Sequence, residues 1–119
     1  MPFTRTLTRL INSVHGGRCA VLMDVDCEYV QFAGKVDPYV QKLMGAYQGV
    51  ILGQVRHLCK LRNTGIPEML ITEYEKARFI TQSLRSGYFL VLVLDPAANI
   101  GQGMQQIGIA GREINEEID

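Results

Sequence analysis

Two segments far apart in the chain are apolar without interruption: Cys19-Ala20-Val21-Leu22-Met23 and Tyr88-Phe89-Leu90-Val91-Leu92-Val93-Leu94. A strand that is apolar at every position needs cover on both faces, so both runs belong in the middle of one sheet with helices on either side. The neighbouring segments fit that frame. Tyr29-Val30-Gln31-Phe32-Ala33 alternates and follows the turn-like Asp24-Val25-Asp26-Cys27-Glu28, which predicts a hairpin with the first run. Glu68 to Glu75 and Phe79 to Leu84 read as strands that lead through Ser86-Gly87 into the second run, an antiparallel meander. Setting the two apolar runs side by side, with each hairpin continuing outward, predicts the strand order 2-1-5-4-3.

Three helices complete the pattern. Leu7, Leu10, Ile11 and Val14 fall on one helical face before His15-Gly16-Gly17 stops the segment. Asp37-Pro38 has the chemistry of a helix start, and the pattern continues to about Arg62, where Asn63-Thr64-Gly65-Ile66-Pro67 breaks it. Asn99 can cap a last helix with Ile100, Met104, Ile107, Gly111, Ile114 and Ile118 on one face. A central helix of about 24 residues is roughly 36 Å long, enough to cross the roughly 19 Å between the two edge strands. The expected architecture is α+β, in the order α-β-β-α-β-β-β-α. The long helix lies on one face of a five-stranded antiparallel sheet and the terminal helices on the other, in a single domain spanning residues 1–119.

Twelve Lys and Arg balance twelve Asp and Glu, which removes the field-driven case for nucleic acid or an anionic membrane surface as partner. The longest uncharged stretch of the central helix, Leu43 to Val55, has 13 residues, short of the roughly 20 that span a bilayer. The first residues carry Arg5 and Arg9 and lack the apolar run of a signal peptide, so a cytoplasmic location without membrane insertion is expected. Cys19, Cys27 and Cys59 lack metal-binding spacing and read as buried reduced thiols.

The central helix has two faces that both want contact. Val40, Leu43, Met44, Tyr47, Val50, Ile51, Val55 and Leu58 form a broad apolar stripe, expected to cover the sheet. Opposite lie Gly45, Gly49 and Gly53, flanked by Lys42, Ala46, Arg56 and Lys60. Each interior Gly costs about 0.8–1 kcal/mol relative to Ala, so the row calls for a compensating contact. Small residues four apart let helix backbones approach closely, and the expectation is a two-fold contact with the same helix of a second subunit. The strand Met69 to Glu75 is expected at a sheet edge and could pair with another copy, although Glu73 and Glu75 oppose this mildly.

Several constellations carry less. Gly101-Gln102-Gly103 opens a helix after a strand, but Gln106 stands where a dinucleotide loop needs its third Gly. Asp24, Asp26 and Glu28 begin a calcium-loop spacing that Tyr29 and Lys35 then break. His57 and Cys59 diverge on a helix, and no catalytic group is assigned. Arg5, Arg9 and Arg18 could pair with Glu113, Glu116 and Glu117 across the terminal helices. Cys19, Tyr29 and Tyr88 are the modest candidates for an enclosed pocket between sheet and helix.

The element order, together with Cys19-Ala20-Val21-Leu22-Met23-Asp24, Gly45-Ala46-Tyr47-Gln48-Gly49-Val50-Ile51-Leu52, Gly87 to Leu94 and Asn99-Ile100-Gly101, resembles the Roadblock family, also called the dynein light-chain Roadblock or longin-like family. Its fold is profilin-like. The similarity covers nearly the whole chain; Cys27 departs from it where the family often has Gly, and so does Glu75-Lys76-Ala77. The resemblance implies a dimer in which long helices and third strands meet. It also implies a non-enzymatic platform for small Ras-like GTPases, as in bacterial polarity and motility systems where an MglB-type Roadblock dimer is a GTPase-activating partner. The expected dimer interface is Gly45, Ala46, Gly49, Gly53, Arg56, Met69, Ile71 and Glu73; the expected GTPase contacts are Lys42, His57 and Lys60, with Arg56 beside them. The alternative is a small-molecule-sensing or general signalling dimerisation module. Neither reading needs a cofactor or metal.

Overall fold

The computed structural model describes residues 2–118; Met1 and Asp119, the ends of the expected domain, lie outside the described residues. The elements are α1 (Pro2–Asn12), β1 (Gly17–Met23), β2 (Tyr29–Gly34), α2 (Pro38–Arg62), β3 (Met69–Glu73), β4 (Arg78–Ser83), β5 (Phe89–Leu94) and α3 (Ile100–Glu117), with a short 3-10 turn at Arg85–Gly87. The sheet order is β2-β1-β5-β4-β3, antiparallel throughout, as the two apolar runs require. β1 and β5 lie adjacent, with Val21 opposite Val91, and every residue of β5 is buried.

Two cores sandwich the sheet. On one face Leu7, Leu10 and Val14 of α1 and its C-terminal end pack with Ile107, Ala110 and Ile114 of α3 against Ala20, Leu22, Leu90 and Leu92. On the other, Leu52 of α2 packs with Cys19, Val21, Met23, Phe79, Phe89, Val91 and Val93. Capping follows the sequence. The Asp37 carboxylate accepts from the Tyr39 N–H at 2.8 Å, Pro38 takes the first helical turn, and Asn63 ends the helix in the left-handed region at φ 56°. The Asn99 side chain accepts from the Gln102 N–H at 3.0 Å to open α3.

The expectation for the central helix is overturned. The faces of α2 are exchanged: its buried residues are Gln41, Gly45, Gln48, Gly49 and Leu52, whereas Val40, Tyr47, Val50 and Leu58 are exposed. Met44 alone of the expected stripe packs at the edge of the α2-side core. The glycines allow the helix to lie close on the sheet. A Cβ at Gly45 would fall 2.6 Å from the Met23 sulfur, and one at Gly49 would fall 2.5 Å from the Cys27 sulfur and 2.9 Å from the Phe89 ring. Gly45 and Gly49 are therefore not available to a second subunit, while Gly53 faces open space. Periodicity finds a stripe and its opposite but does not say which one meets the sheet.

In α3, Gly103, Ile107, Ala110, Gly111 and Ile114 are buried, but Met104, expected on the inner face, is exposed. Gly103 is where α3 meets the sheet, since a Cβ there would lie 2.8 Å from Ile80 Cδ1. It serves helix–sheet contact, not a phosphate loop.

Candidate partner-binding surface

The outer face of α2 carries large apolar side chains with no cover. Tyr39 is 69% exposed, Tyr47 64% and Leu61 69%, and Val40, Val50 and Leu58 lie on the same broad side. Burying such a row would release water from a surface that a monomer leaves wet, and contiguous exposed apolar area of this kind marks an interaction site. β3 is an edge strand, and its outer backbone faces no strand among the described residues. Ile71 on β3 is exposed, Met69 is half-buried against the α1–α3 side, and Glu73 pairs with Arg78 at 3.1 Å across the ladder.

The expected partner contacts separate along the helix. The Lys42 ammonium lies 4.1 Å from the centroid of the Tyr29 ring, a cation–π contact that holds it over β2. His57 and Lys60 are exposed near the other end. Eighteen residues between Lys42 and Lys60 correspond to about 27 Å of helix, so the two flank the apolar stripe and do not converge. Ala46 is half-buried beside the β1–β2 turn. Arg56 turns inward, its guanidinium 3.5 Å from the Gly87 carbonyl oxygen, and so leaves the outer face expected for it.

Beneath α2 lies a polar cluster that the periodicity passed over. Gln48 is buried, and its Nε2 donates to Thr81 Oγ1 at 3.0 Å and Thr72 Oγ1 at 3.2 Å, while Tyr74 donates its hydroxyl proton to Gln48 Oε1 at 3.4 Å. One amide thus fastens the helix to β3 and β4. The sequence signal was available: Gln48 sits within the glycine row, the side that proved to face the sheet. Gln41 similarly donates to the Val36 carbonyl at 2.8 Å.

Cys19, Tyr29 and Tyr88 do not enclose a common pocket. Cys19 is buried under α2, Tyr29 is exposed beside Lys42, and Tyr88 packs against the opposite core. Of the three thiols expected to be buried only Cys19 is, since Cys27 in the β1–β2 turn and Cys59 near the end of α2 are partly exposed. Burial pushes the Cys19 thiol from its ordinary 9.0 up to about 12, with Arg18 pulling the other way, so the group stays protonated and unreactive. The acidic turn is architectural, since the Asp24 carboxylate accepts from the N–H groups of Asp26 and Glu28 at 2.9 and 3.0 Å. Across the terminal helices Arg9 pairs with Glu113, as one expectation had it, whereas Arg18 pairs with Asp95.

A five-stranded sheet in this order, one long helix on one face and two terminal helices on the other, recurs in solved structures. A Roadblock/LC7 domain from Streptomyces avermitilis superposes with a TM-score of 0.86 at 16% identity, over 95% of this chain and 94% of that one. The chain has the Roadblock/LC7 fold. MglB of Myxococcus xanthus shares this Roadblock fold with a TM-score of 0.88 at 16% identity, over 98% of this chain and 94% of that one. MglC of the same organism is 25% identical with a TM-score of 0.72, over 99% of this chain and all of the other. No protein-family model and no curated protein matches the sequence. No helix among the described residues of this Roadblock-fold chain is long and apolar enough to cross a membrane.

Proposed function

We propose that this protein is a non-enzymatic cytoplasmic adaptor that self-associates through the outer face of α2 and binds a small Ras-like GTPase, as a GTPase-activating or scaffold subunit in polarity, motility or trafficking. The observation that carries the reading is the uncovered apolar row of Tyr39, Tyr47, Val50, Leu58 and Leu61 on a chain without net charge. A surface of this kind associates by fit and water release, with little help from long-range steering. The fold shared with MglB and MglC supports a GTPase-linked role. In this reading Lys42, His57 and Lys60 rim the helix pair and contact the GTPase, and a docked dimer influences hydrolysis by positioning the GTPase's own residues. The Gly45 and Gly49 contacts, first expected between subunits, are replaced by the apolar row, and Gly53 alone of the three remains at the margin.

Molar mass in solution tests the self-association. The chain is 13.3 kDa, so light scattering after gel filtration should give twice that for the wild type and 13.3 kDa for Val50→Asp. Val50 is exposed, so the variant retains its fold, verified by an unchanged circular dichroism spectrum. A wild type of 13.3 kDa, or a variant still at twice that mass, would refute the assignment of this face.

A further inference from the structure

At the C-terminal end of α2 a cleft of about 710 Å3 opens between the helix, the loop into β3 and the turn before β5. Its size falls in the range of small-molecule sites. Two features leave it empty of protein. Gly65 holds a left-handed φ of 91° in open space, and Gly87, at φ 81°, is pinned because a Cβ there would meet Val25 Cγ2 at 2.6 Å.

The lining divides chemically. Ile66, Pro67 and Leu84 give an apolar wall and floor, and Arg56, Lys60 and Arg85 give three cationic side chains. No carboxylate lines the cleft among the described residues, and none of the described carboxylates forms an ion pair with any of these three cations. Arg85 is held by α3, donating to the Ile118 carbonyl at 3.2 Å and the Asn115 carbonyl at 3.4 Å. Lys60 also complements the helix dipole at its last turn. Arg56 has no such duty. It lies two turns in from the helix end, half-buried, and both terminal nitrogens reach a single carbonyl at 3.5 Å, the weak limit of hydrogen bonding. The Arg56 guanidinium therefore keeps unused donor capacity toward the cleft, and its planar fork fits a carboxylate or phosphate.

We propose that this cleft binds a small amphipathic anion, whose carboxylate or phosphate lies on Arg56 and Lys60 and whose apolar body lies against Ile66, Pro67 and Leu84. The site adjoins the outer face of α2 and shares Lys60 with the proposed GTPase contacts, whereas Arg56, Ile66, Pro67 and Leu84 belong to the cleft alone. Ligand charge and ligand body recognise different walls, so each can be removed in turn.

The test is a titration of uniformly 15N-labelled protein at constant ionic strength with hexanoate, acetate, hexyl phosphate and 1-hexanol. Hexanoate or hexyl phosphate should shift the amide signals of residues 56, 60, 66 and 87 along saturable curves. Half-saturation below about 10 mM is what a ligand of eight or so heavy atoms reaches at ordinary ligand efficiency. Which of the two binds tighter distinguishes carboxylate from phosphate. Acetate and hexanol should each bind at least tenfold more weakly. Arg56→Met, which keeps the stem and removes the charge, should weaken the anion about tenfold, the ordinary worth of a charge-assisted hydrogen bond. Ile66→Ser, at a side chain that is 77% exposed, should weaken hexanoate and leave acetate unchanged without disturbing the fold. Absence of saturable shifts with both amphipathic anions, equal binding by hexanol, or undiminished binding by Arg56→Met would each overturn the proposal.

Discussion

Replacing Gly49 by Ala tests the close seating of α2 on the sheet, and its effect can be worked from the structure. The added methyl raises helix propensity, a gain of about 0.8–1 kcal/mol. It also arrives 2.5 Å from the Cys27 sulfur and 2.9 Å from the Phe89 ring. Phe89 is 1% exposed and cannot retreat, and Cys27 is a short side chain on backbone already in the left-handed region at φ 61°. Overpacking of this kind costs about 1–3 kcal/mol, which leaves a net loss of about 1 kcal/mol. Gly53→Ala has the same propensity gain and meets nothing within 4 Å, so it should stabilise by about 1 kcal/mol. The two variants should thus differ by roughly 2 kcal/mol, or about 8 °C in Tm for a domain of this size.

Urea denaturation followed by circular dichroism, with both substitutions placed in the Val50→Asp background, measures the difference free of self-association. Cys27→Gly should recover part of the Gly49→Ala loss, with a coupling of at least about 0.5 kcal/mol in a double-mutant cycle. Equal stabilisation by Ala at positions 49 and 53 would refute the seating, because it would mean that both glycines face open space.

That seating also marks where the sequence stopped being legible. The sheet order followed from two runs that had to be doubly covered, and the helix ends followed from Asp37, Asn63 and Asn99, each a local capping requirement. The facing of α2 is not a local property. Val50 and Tyr47 are as apolar as Leu52, and only the distance between helix and sheet decides which of them goes inside. That distance is set by the sulfurs of Met23 and Cys27 and by Phe89, which lie 20 to 40 residues away in the chain. Gln48 carried the missed clue, because a buried amide needs partners and Thr72 and Thr81 supply them. Lys42 lies over the Tyr29 ring and Arg56 reaches the Gly87 carbonyl, tertiary contacts that helical spacing alone does not reveal.

Gln48→Leu should destabilise the fold by about 2–3 kcal/mol in urea unfolding, since it strips the Thr81 and Thr72 hydroxyls of a buried partner, whereas Tyr74→Phe should cost about 1 kcal/mol. Cys19 has a folded pKa above its unfolded value, so its contribution is fully present below pH 9 and is lost as pH rises toward 12 at up to about 1.4 kcal/mol per unit. Cys19→Ala should flatten that alkaline decline in pH-dependent unfolding, and in the native protein at pH 8 iodoacetamide should label Cys27 and Cys59 before Cys19.

Partner binding by the outer face of α2 can be measured by titrating a small Ras-like GTPase from the same organism, loaded with GTP or with GDP, into this protein by calorimetry. The wild type should distinguish the two nucleotide states, and Val50→Asp should bind neither. Failure of the wild type to bind either form, or undiminished binding by Val50→Asp, would contradict partner binding by this face.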